Sequence, residues 1–312
     1  MTVDIPIDHR AVPSESGWMD TGVATEILRQ RHSGSGPVTV HETWGASLVI
    51  EIDGLFLKAN GDRSTTAEAL VAQRVRAAGV PAPEVIDSGT DSRLPGGTWL
   101  VMRRVPGVGF DASNATSAQV ERAIADVARL LRILTETTLP GWGWVGDDGW
   151  GTASSWPDWL RRQVFGSATR LGDRLPGGFV ASVYGLIKAA VPDLACGSVL
   201  NGDLGLSHVL VDPPTGAVTG ILDWGAAIIG DPLYDVATFS MGGEAGDPIQ
   251  DVLQPRLIVA YGADPDDPRI GLYRAINHLF NAVWSVDNDV TSWTDDLCRA
   301  AVGLVEHEQE LR

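Results

Sequence analysis

The chain has 312 residues, 44% of them hydrophobic and 20% charged, which suits a soluble globular protein large enough for two lobes. Its formal net charge of −17 argues against binding nucleic acid through the phosphates, and suits either plain solubility or attraction of a cationic small molecule. No window offers the roughly 18 apolar residues of a membrane span, the opening "MTVDIPIDHRAVPSE" lacks an export signal, and Cys196 and Cys298 are too few for a disulfide framework, so the cytoplasm is the expected compartment.

A short helix is expected over 20–31. From 37 to 59, "PVTVHETWGASLVIEIDGLFLKA" reads as three β-rich pieces parted by glycine-containing turns. A helix is expected over about 65–78, with Val71, Val75 and Ala78 on one face and Gly79 then Pro81 ending it. "EVIDSG" and "GTWLVMRRV" read as two further strands. Residues 1–104 are therefore expected to form a small antiparallel β-sheet lobe with one inserted helix. "VPGVGFDASNAT" is rich in turn formers and marks the crossing into a second lobe, 105–312, where the helical period dominates. Val120, Ile124, Val127, Leu131 and Leu134 form a buried stripe, and Thr116 with Gln119 makes a capping box at its start. Further helices are expected near 155–166, 175–190, 247–261, 267–284 and 292–310. The β-rich part of this lobe is expected to be confined to 201–225.

That stretch, "NGDLGLSHVLVDPPTGAVTGILDWG", reads strand, loop, strand, turn, strand, with Asp203 and Asp223 each at a loop mouth. Two aspartates in surface turns would explain it, as would two carboxylates held around a metal and a transferring group. Phosphoryl transfer needs a residue to orient the nucleophile, metal ligands and a cation on the phosphates. Asp203 fits the base that accepts a proton from a substrate hydroxyl, and Asp223 fits a ligand for Mg²⁺, a hard cation that prefers carboxylate oxygen. His208, five residues after Asp203, stands where a second metal ligand is expected. Lys58 ends a strand that otherwise reads as core; it suits a phosphate contact or an edge lysine with its stem laid on the sheet. Glu68 suits a partner for Lys58 or, with Thr65, a capping box. Gly45 and Ser47 in "TWGAS" could cover phosphates with backbone N–H groups, or form a hairpin turn. Asp231 and Asp235 in "GDPLYD" read as structural, anchoring the loop and capping the next helix.

With "NGDLGLSH", "ILDWGAAIIGDPLYD", "AEALVAQRVRAAGVPAPEVI" and "WLVMRRVPG" in this order, the chain from about 40 to 240 resembles the aminoglycoside phosphotransferase family. The family's pattern is "HGD", an Asn five residues beyond the Asp, then "IDW…GDP…D". The resemblance implies an α+β, two-lobed, protein-kinase-like fold, with a small antiparallel β-sheet N-lobe bearing one helix and a larger, mainly helical C-lobe. It implies that Asp203 is the catalytic base, Asp223 a metal ligand, and Lys58 with Glu68 the phosphate-positioning pair. Met102, Arg103 and on to Val105 look like the hinge, whose backbone would hydrogen-bond adenine. The implied cofactors are ATP, with GTP as the alternative nucleotide, and Mg²⁺, with Mn²⁺ as the alternative metal.

Two positions depart from that pattern. Asn201 stands where the family has His, a position that supports the loop, and its amide can still donate to a carbonyl. His208 replaces Asn, and imidazole suits transition metals better than Mg²⁺; a macrolide-kinase-like branch carries His there too. Five of the eleven Trp fall between 142 and 159, as in a hygromycin-type branch. Trp142 and Trp144 are candidate platforms for a sugar or a cation, or loop packing. Asp287 and Asp289, with Asp295 and Asp296, suit an acidic wall for amines or a solvated junction; His41 and His278 read as structural. The expected activity is ATP-dependent phosphorylation of a hydroxyl on an aminoglycoside-type antibiotic. The alternatives are a macrolide kinase, a choline or sugar kinase, and a nucleotide-binding pseudokinase with a regulatory role. The expected partners are a nucleotide and a small hydroxyl-bearing substrate, with neither nucleic acid nor membrane; the oligomeric state stays open.

Overall fold

The computed structural model describes residues 21–41, 43, 47–239 and 248–311. These form an α+β protein divided into two compact units. The first unit comprises the described residues up to Thr65 together with Ile86–Arg103, and the second Thr66–Val85 with the described residues from Arg104 on.

In chain order the first segments are α1 (Thr21–His32), β1 (Thr39–His41), β2 (Ser47–Ile52), β3 (Leu55–Asn60), α2 (Thr65–Ala77), β4 (Val85–Thr90) and β5 (Thr98–Arg103). The strands make one sheet in the order β1-β2-β3-β5-β4. Its register follows from alternation, because successive side chains leave opposite faces of a strand. Leu48, Ile50 and Ile52 of β2, Leu57 and Ala59 of β3, and Trp99 and Val101 of β5 share one face and close a core with Val23, Ala24, Ile27 and Leu28 of α1. Asp53 and Gly54, both with positive φ, make the two-residue turn from β2 to β3. The other face carries the cross-strand row Val49, Lys58 and Leu100.

Helix α2 was expected in the sheet lobe, yet its buried Val71, Ala72 and Val75 belong to the second unit's core. Arg74 also donates to the carbonyl of Thr138 in that unit. The capping box drawn from Thr65 and Glu68 is not formed: the Thr65 hydroxyl is buried without a hydrogen-bond partner, and its N–H donates to the Thr98 hydroxyl at 3.0 Å.

The second unit continues with β6 (Val108–Gly109), α3 (Ser117–Thr135), β7 (Trp142–Val145), β8 (Gly151–Ala153), α4 (Trp156–Leu171), α5 (Phe179–Ala190), β9 (Ser198–Leu200), β10 (Val209–Val211), β11 (Val218–Ile221), β12 (Ile228–Gly230), α6 (Leu233–Thr238), α7 (Pro248–Tyr261), α8 (Pro268–Asp287) and α9 (Thr294–Glu310). The stripe expected on α3 is buried along its length, and Thr116 and Gln119 exchange the two bonds of a capping box. One expectation fails. Besides the sheet β11-β10-β6, the unit holds a four-stranded sheet, β8-β7-β12-β9, that draws two strands from the tryptophan-rich segment. Strands of three or four residues are too short to show a period of two; β7 and β8 pair as neighbours, and β12 joins them to β9 from far along the chain. Against them lies an aromatic core: Trp156 stacks on Trp159 at 4.8 Å, and Tyr234 and Tyr273 meet Trp156 edge-on.

Candidate active site

The two loops that carry Asp203 and Asp223 are clasped together by side-chain bonds. Strand β9 ends at Leu200, and Asn201 follows fully buried. Its amide nitrogen donates to the carbonyls of Asp223 at 2.9 Å and Leu222 at 3.3 Å, while its amide oxygen accepts the N–H of Asp203 at 3.2 Å. The Asn in place of the family's His therefore supports the loop through carbonyls, as its donor chemistry allows. Leu222 N–H also donates to the carbonyl of His208 at 2.8 Å, a second tie between the loops.

Asp235 secures the loop from the opposite side. Its two carboxylate oxygens accept the backbone N–H groups of Asn201 at 2.7 Å and Gly202 at 3.0 Å. Burial pushes its pKa up to about 6; the two N–H bonds act against that rise and the charge of Asp203 adds to it. Gly202 has φ +79°, and a Cβ there would collide with the carbonyl of Ala226, so only glycine lets the chain turn sharply into Asp203. Asp231 has the structural role read from the sequence. It accepts the N–H of Leu233 at 3.0 Å at the start of α6, Arg269 at 2.8 Å and the Tyr273 hydroxyl at 2.8 Å.

With its backbone held so tightly, the Asp203 side chain is exposed. Asp223 has φ +53°, a left-handed conformation that a non-glycine residue rarely adopts, although Asp tolerates it better than most. Its half-buried carboxylate accepts the N–H of Gly225 at 3.3 Å. His208 lies at 2.7 Å from the carbonyl of Asp203 through Nδ1. A carbonyl accepts only, so Nδ1 carries the proton and the lone pair of the neutral ring is on Nε2.

No group of three or more His, Cys, Asp or Glu gathers as a metal site among the described residues. A donor set of one or two protein groups still fits Mg²⁺, which keeps several waters and takes phosphate oxygens from its substrate. The Asp223 carboxylate suits that ion. The imidazole of His208 suits Mn²⁺ better.

The other expected residues are placed as follows. Lys58 is buried on β3, between Val49 and Leu100 in the sheet, and belongs to the first unit. Glu68 is buried on α2 and belongs to the second. Ser47 opens β2 opposite Asn60, and Gly45 lies outside the described residues. Met102 and Arg103 end β5, paired with Phe56 and Leu55, and Val105 packs over Gly220 of β11. Trp142 lies over Gly197, where a Cβ would come within 2.9 Å of its ring. Trp144 is half-buried against Trp159 at 5.5 Å and Phe280 at 6.3 Å. Asp287 accepts from Arg170 Nε at 3.0 Å, whereas Asp289 is exposed at the end of α8. Asp235 was legible as an anchor from "GDPLYD", but the backbone groups it holds lie more than thirty residues upstream.

The sequence profile described as the phosphotransferase enzyme family matches residues 53–273. Among curated proteins the chain is 26% identical over 165 residues to a hygromycin-B 4-O-kinase of Escherichia coli, covering 51% of this chain and 47% of that protein. It is 27% identical over 210 residues to an aminoglycoside 3'-phosphotransferase of Streptomyces fradiae, covering 65% of this chain and 74% of that one. The chain thus spans about half the length of the first relative and three quarters of the second. Among solved structures, a thermostable mutant of aminoglycoside phosphotransferase APH(4)-Ia superposes in its apo form with a TM-score of 0.73 at 20% identity, over 91% of this chain and 98% of that one. Its ternary complex with ADP and hygromycin B superposes with a TM-score of 0.69, again at 20% identity, over 89% and 97%. The shared fold is the α+β kinase-like fold expected from the sequence.

Proposed function

The chain belongs to the phosphotransferase enzyme family, and on that premise we propose that it transfers the γ-phosphoryl group of ATP to a hydroxyl of an aminoglycoside-type antibiotic. The observation that carries the reading is the clasp in which Asn201 and Asp235 fix the loops of Asp203 and Asp223. A loose, metaphosphate-like transition state asks for positioning and charge neutralisation more than for covalent help, and a rigid loop presenting an exposed carboxylate supplies the positioning.

Asp203 would orient the acceptor hydroxyl and take its proton as the oxygen attacks the γ-phosphorus and the bond to the ADP oxygen breaks. Asp223, with His208 as a second candidate, would hold the divalent cation, which when bound neutralises phosphate charge. Lys58 would contact the phosphates, with Glu68 as its partner, and the backbone of Met102 to Val105 would receive the base. Mg²⁺ with ATP is the expected pairing; Mn²⁺ and GTP are the alternatives to be tested beside it. The relatives' names speak of hygromycin B and aminoglycosides, and the net charge of −17 favours a polycationic acceptor of that kind. Asp289 is a candidate amine contact; Asp287 is already engaged by Arg170, and Trp144 offers a partly exposed ring.

The test is nucleotide turnover in the presence of hygromycin B, other aminoglycosides, macrolides, choline and simple sugars, with ATP and with GTP. Stimulation by an aminoglycoside, abolished in Asp203→Asn, supports the proposal. Stimulation by a macrolide or choline instead would move the substrate class. Nucleotide binding without turnover on any acceptor would favour a regulatory nucleotide-binding protein.

A further inference from the structure

Strand β12 ends at Gly230, and the chain is anchored on α8 before it turns into α6. Asp231, 3% exposed, opens that helix twice: its Oδ1 accepts the N–H of Leu233 at 3.0 Å, and its carbonyl accepts that of Tyr234 at 2.9 Å. Its Oδ2 takes two bonds from α8, one from the Arg269 guanidinium and one from the Tyr273 hydroxyl, each at 2.8 Å.

Both of those donors are themselves held. Trp156 of α4 donates its indole N–H to the buried Tyr273 oxygen at 3.0 Å. An indole nitrogen only donates, so the single phenolic hydrogen is left for Asp231, whose Oδ2 already accepts from Arg269. The Trp156 ring also lies against Gly230, where a Cβ would come within 2.6 Å of it. Arg269 forks onto Asp267, with Nε at 3.0 Å and Nη2 at 2.6 Å, which leaves Nη1 for Asp231. Asp267 in turn caps α8 by accepting the N–H of Arg269 at 2.9 Å.

Helix α6 has six residues, too few to hold a place of its own by internal bonds. Four residues after Asp231, Asp235 grips the N–H groups of Asn201 and Gly202 just ahead of Asp203. A shift at the start of α6 is therefore a shift of the loop that presents Asp203. We propose that Tyr273 and Arg269 of α8 are positioning residues for phosphoryl transfer: through Asp231 they set the place of α6, and with it the grip of Asp235 on the Asp203 loop. The inference rests on the reading of Asp203 as the base. It predicts that two side chains with no part in binding either substrate act on the chemical step.

The test measures kcat and both KM values for Tyr273→Phe, Arg269→Met and Arg269→Lys, and for Tyr273→Phe on an Asp235→Asn background, with MgATP and the acceptor found by the turnover screen. Amide exchange read by mass spectrometry follows the grip itself at 201–203 and needs no acceptor. The Arg269 side chain is 26% exposed, so Arg269→Met keeps the inference testable should the buried Tyr273→Phe lose the fold. The expected result is a kcat lower by about 10-fold in Tyr273→Phe and in Arg269→Met, with KM values within about twofold of the parent, since a small misplacement of the reacting group is costly. Exchange should quicken at 201–203 and in α6 while that of α3 stays parental. Arg269→Lys keeps a cation for Asp231 and should recover part of the rate. On the Asp235→Asn background Tyr273→Phe should lower kcat by less than about twofold, because the link it acts through is already weakened. Parental kcat and exchange in the single variants, or an equal loss of kcat on both backgrounds, would overturn the inference while leaving Asp203 as the base. A parental kcat in Asp203→Asn would show instead that the base assignment had failed, and the role of Tyr273 and Arg269 in the chemical step would fall with it.

Discussion

Asp235 accepts the backbone N–H of Asn201 at 2.7 Å, so a carboxylate on α6 grips the chain two residues ahead of Asp203. Its second oxygen takes Gly202 at 3.0 Å. Two charge-assisted bonds to consecutive N–H groups define a loop's orientation more sharply than packing could. Replacing Asp235 by Asn leaves one good acceptor and turns an NH₂ group towards a buried N–H. The expected outcome is a kcat lower by at least 10-fold, since small misplacements of a reacting group are costly. A kcat within twofold of the parent would show that the loop holds its shape without this carboxylate.

The same carboxylate gives stability a pH dependence of definite sign. Burial raises its pKa from the ordinary value of 3.8 to about 6, so between those values the native state keeps a proton that the unfolded chain has released. Stability therefore falls as pH rises from about 4 to about 6, by on the order of 3 kcal/mol, and the ionised group carries that cost at neutral pH. Asp235→Asn cannot titrate, so its denaturation midpoint should lack this component. Superimposable pH profiles of midpoint for parent and variant between pH 4 and 6 would refute the assignment.

His278 should act in the opposite direction. It is 4% exposed, and its Nδ1 has no hydrogen-bond partner; burial, with the charge of Arg274 adding to it, lowers its pKa from the ordinary value of 6.5 to about 4. The unfolded chain takes up a proton below pH 6.5 while the native state does not. The stability contributed by the neutral ring is complete above that pH and is lost as pH falls towards 4. At pH 5 the loss relative to pH 7 is about 2 kcal/mol. His278→Leu should flatten this part of the profile, and chemical denaturation at the two pH values measures it.

These buried groups also show where the sequence stops being readable. The α3 stripe from Val120 to Leu134 was legible because five apolar residues keep one helical period and a capping box marks the start. The strands β7, β8 and β12 were not, since each has three or four residues, and β12 finds its partners β7 and β9 far along the chain. Trp156 and Trp159 could not be sorted from Trp142 and Trp144 by residue type, because a ring face suits a sugar and a core equally. What separates them is the sheet beneath: Trp156 and Trp159 are 0% and 2% exposed, while Trp144 keeps part of its ring at the surface. In the candidate site, the loop positions of Asp203 and Asp223 were legible from the apolar runs before them, and the loop-supporting place of Asn201 from the resemblance. The grip of Asp235 on Asn201 and Gly202 was not, because it joins a short helix to backbone groups more than thirty residues upstream, and no local pattern records such a bond.

Asn201 offers a test of the clasp that does not alter any carboxylate. Its amide meets two carbonyls of the Asp223 loop and the N–H of Asp203, three bonds from one fully buried side chain. Asn201→Ala strands those groups in the interior and should cost about 1–3 kcal/mol of stability while lowering kcat. Asn201→His, the residue of the wider family, can restore one donor and should recover part of the rate. Equal rates in the Ala and His variants would argue that the two loops are held by the remaining backbone bonds alone.

The last prediction concerns His208. Its Nδ1–H is committed to the carbonyl of Asp203 at 2.7 Å, which fixes the tautomer and leaves the Nε2 lone pair to whatever faces it. A backbone carbonyl on the far nitrogen is the usual support of a metal-binding imidazole, and it also makes the ring more basic as a ligand. It is equally a clip that closes the loop from Asp203 to His208 without any metal. The two roles differ in how they respond to the identity of the cation. Imidazole nitrogen raises affinity for Mn²⁺ more than for Mg²⁺, whereas an asparagine oxygen favours the harder ion. If His208 is a ligand, the ratio of Mn²⁺-supported to Mg²⁺-supported turnover should fall several-fold in His208→Asn, and Mn²⁺ should bind that variant more weakly in an EPR titration with nucleotide present. If His208 is only a clip, the variant should lose rate with both metals alike and bind Mn²⁺ as the parent does. An unchanged ratio together with unchanged Mn²⁺ affinity would rule out metal ligation by His208.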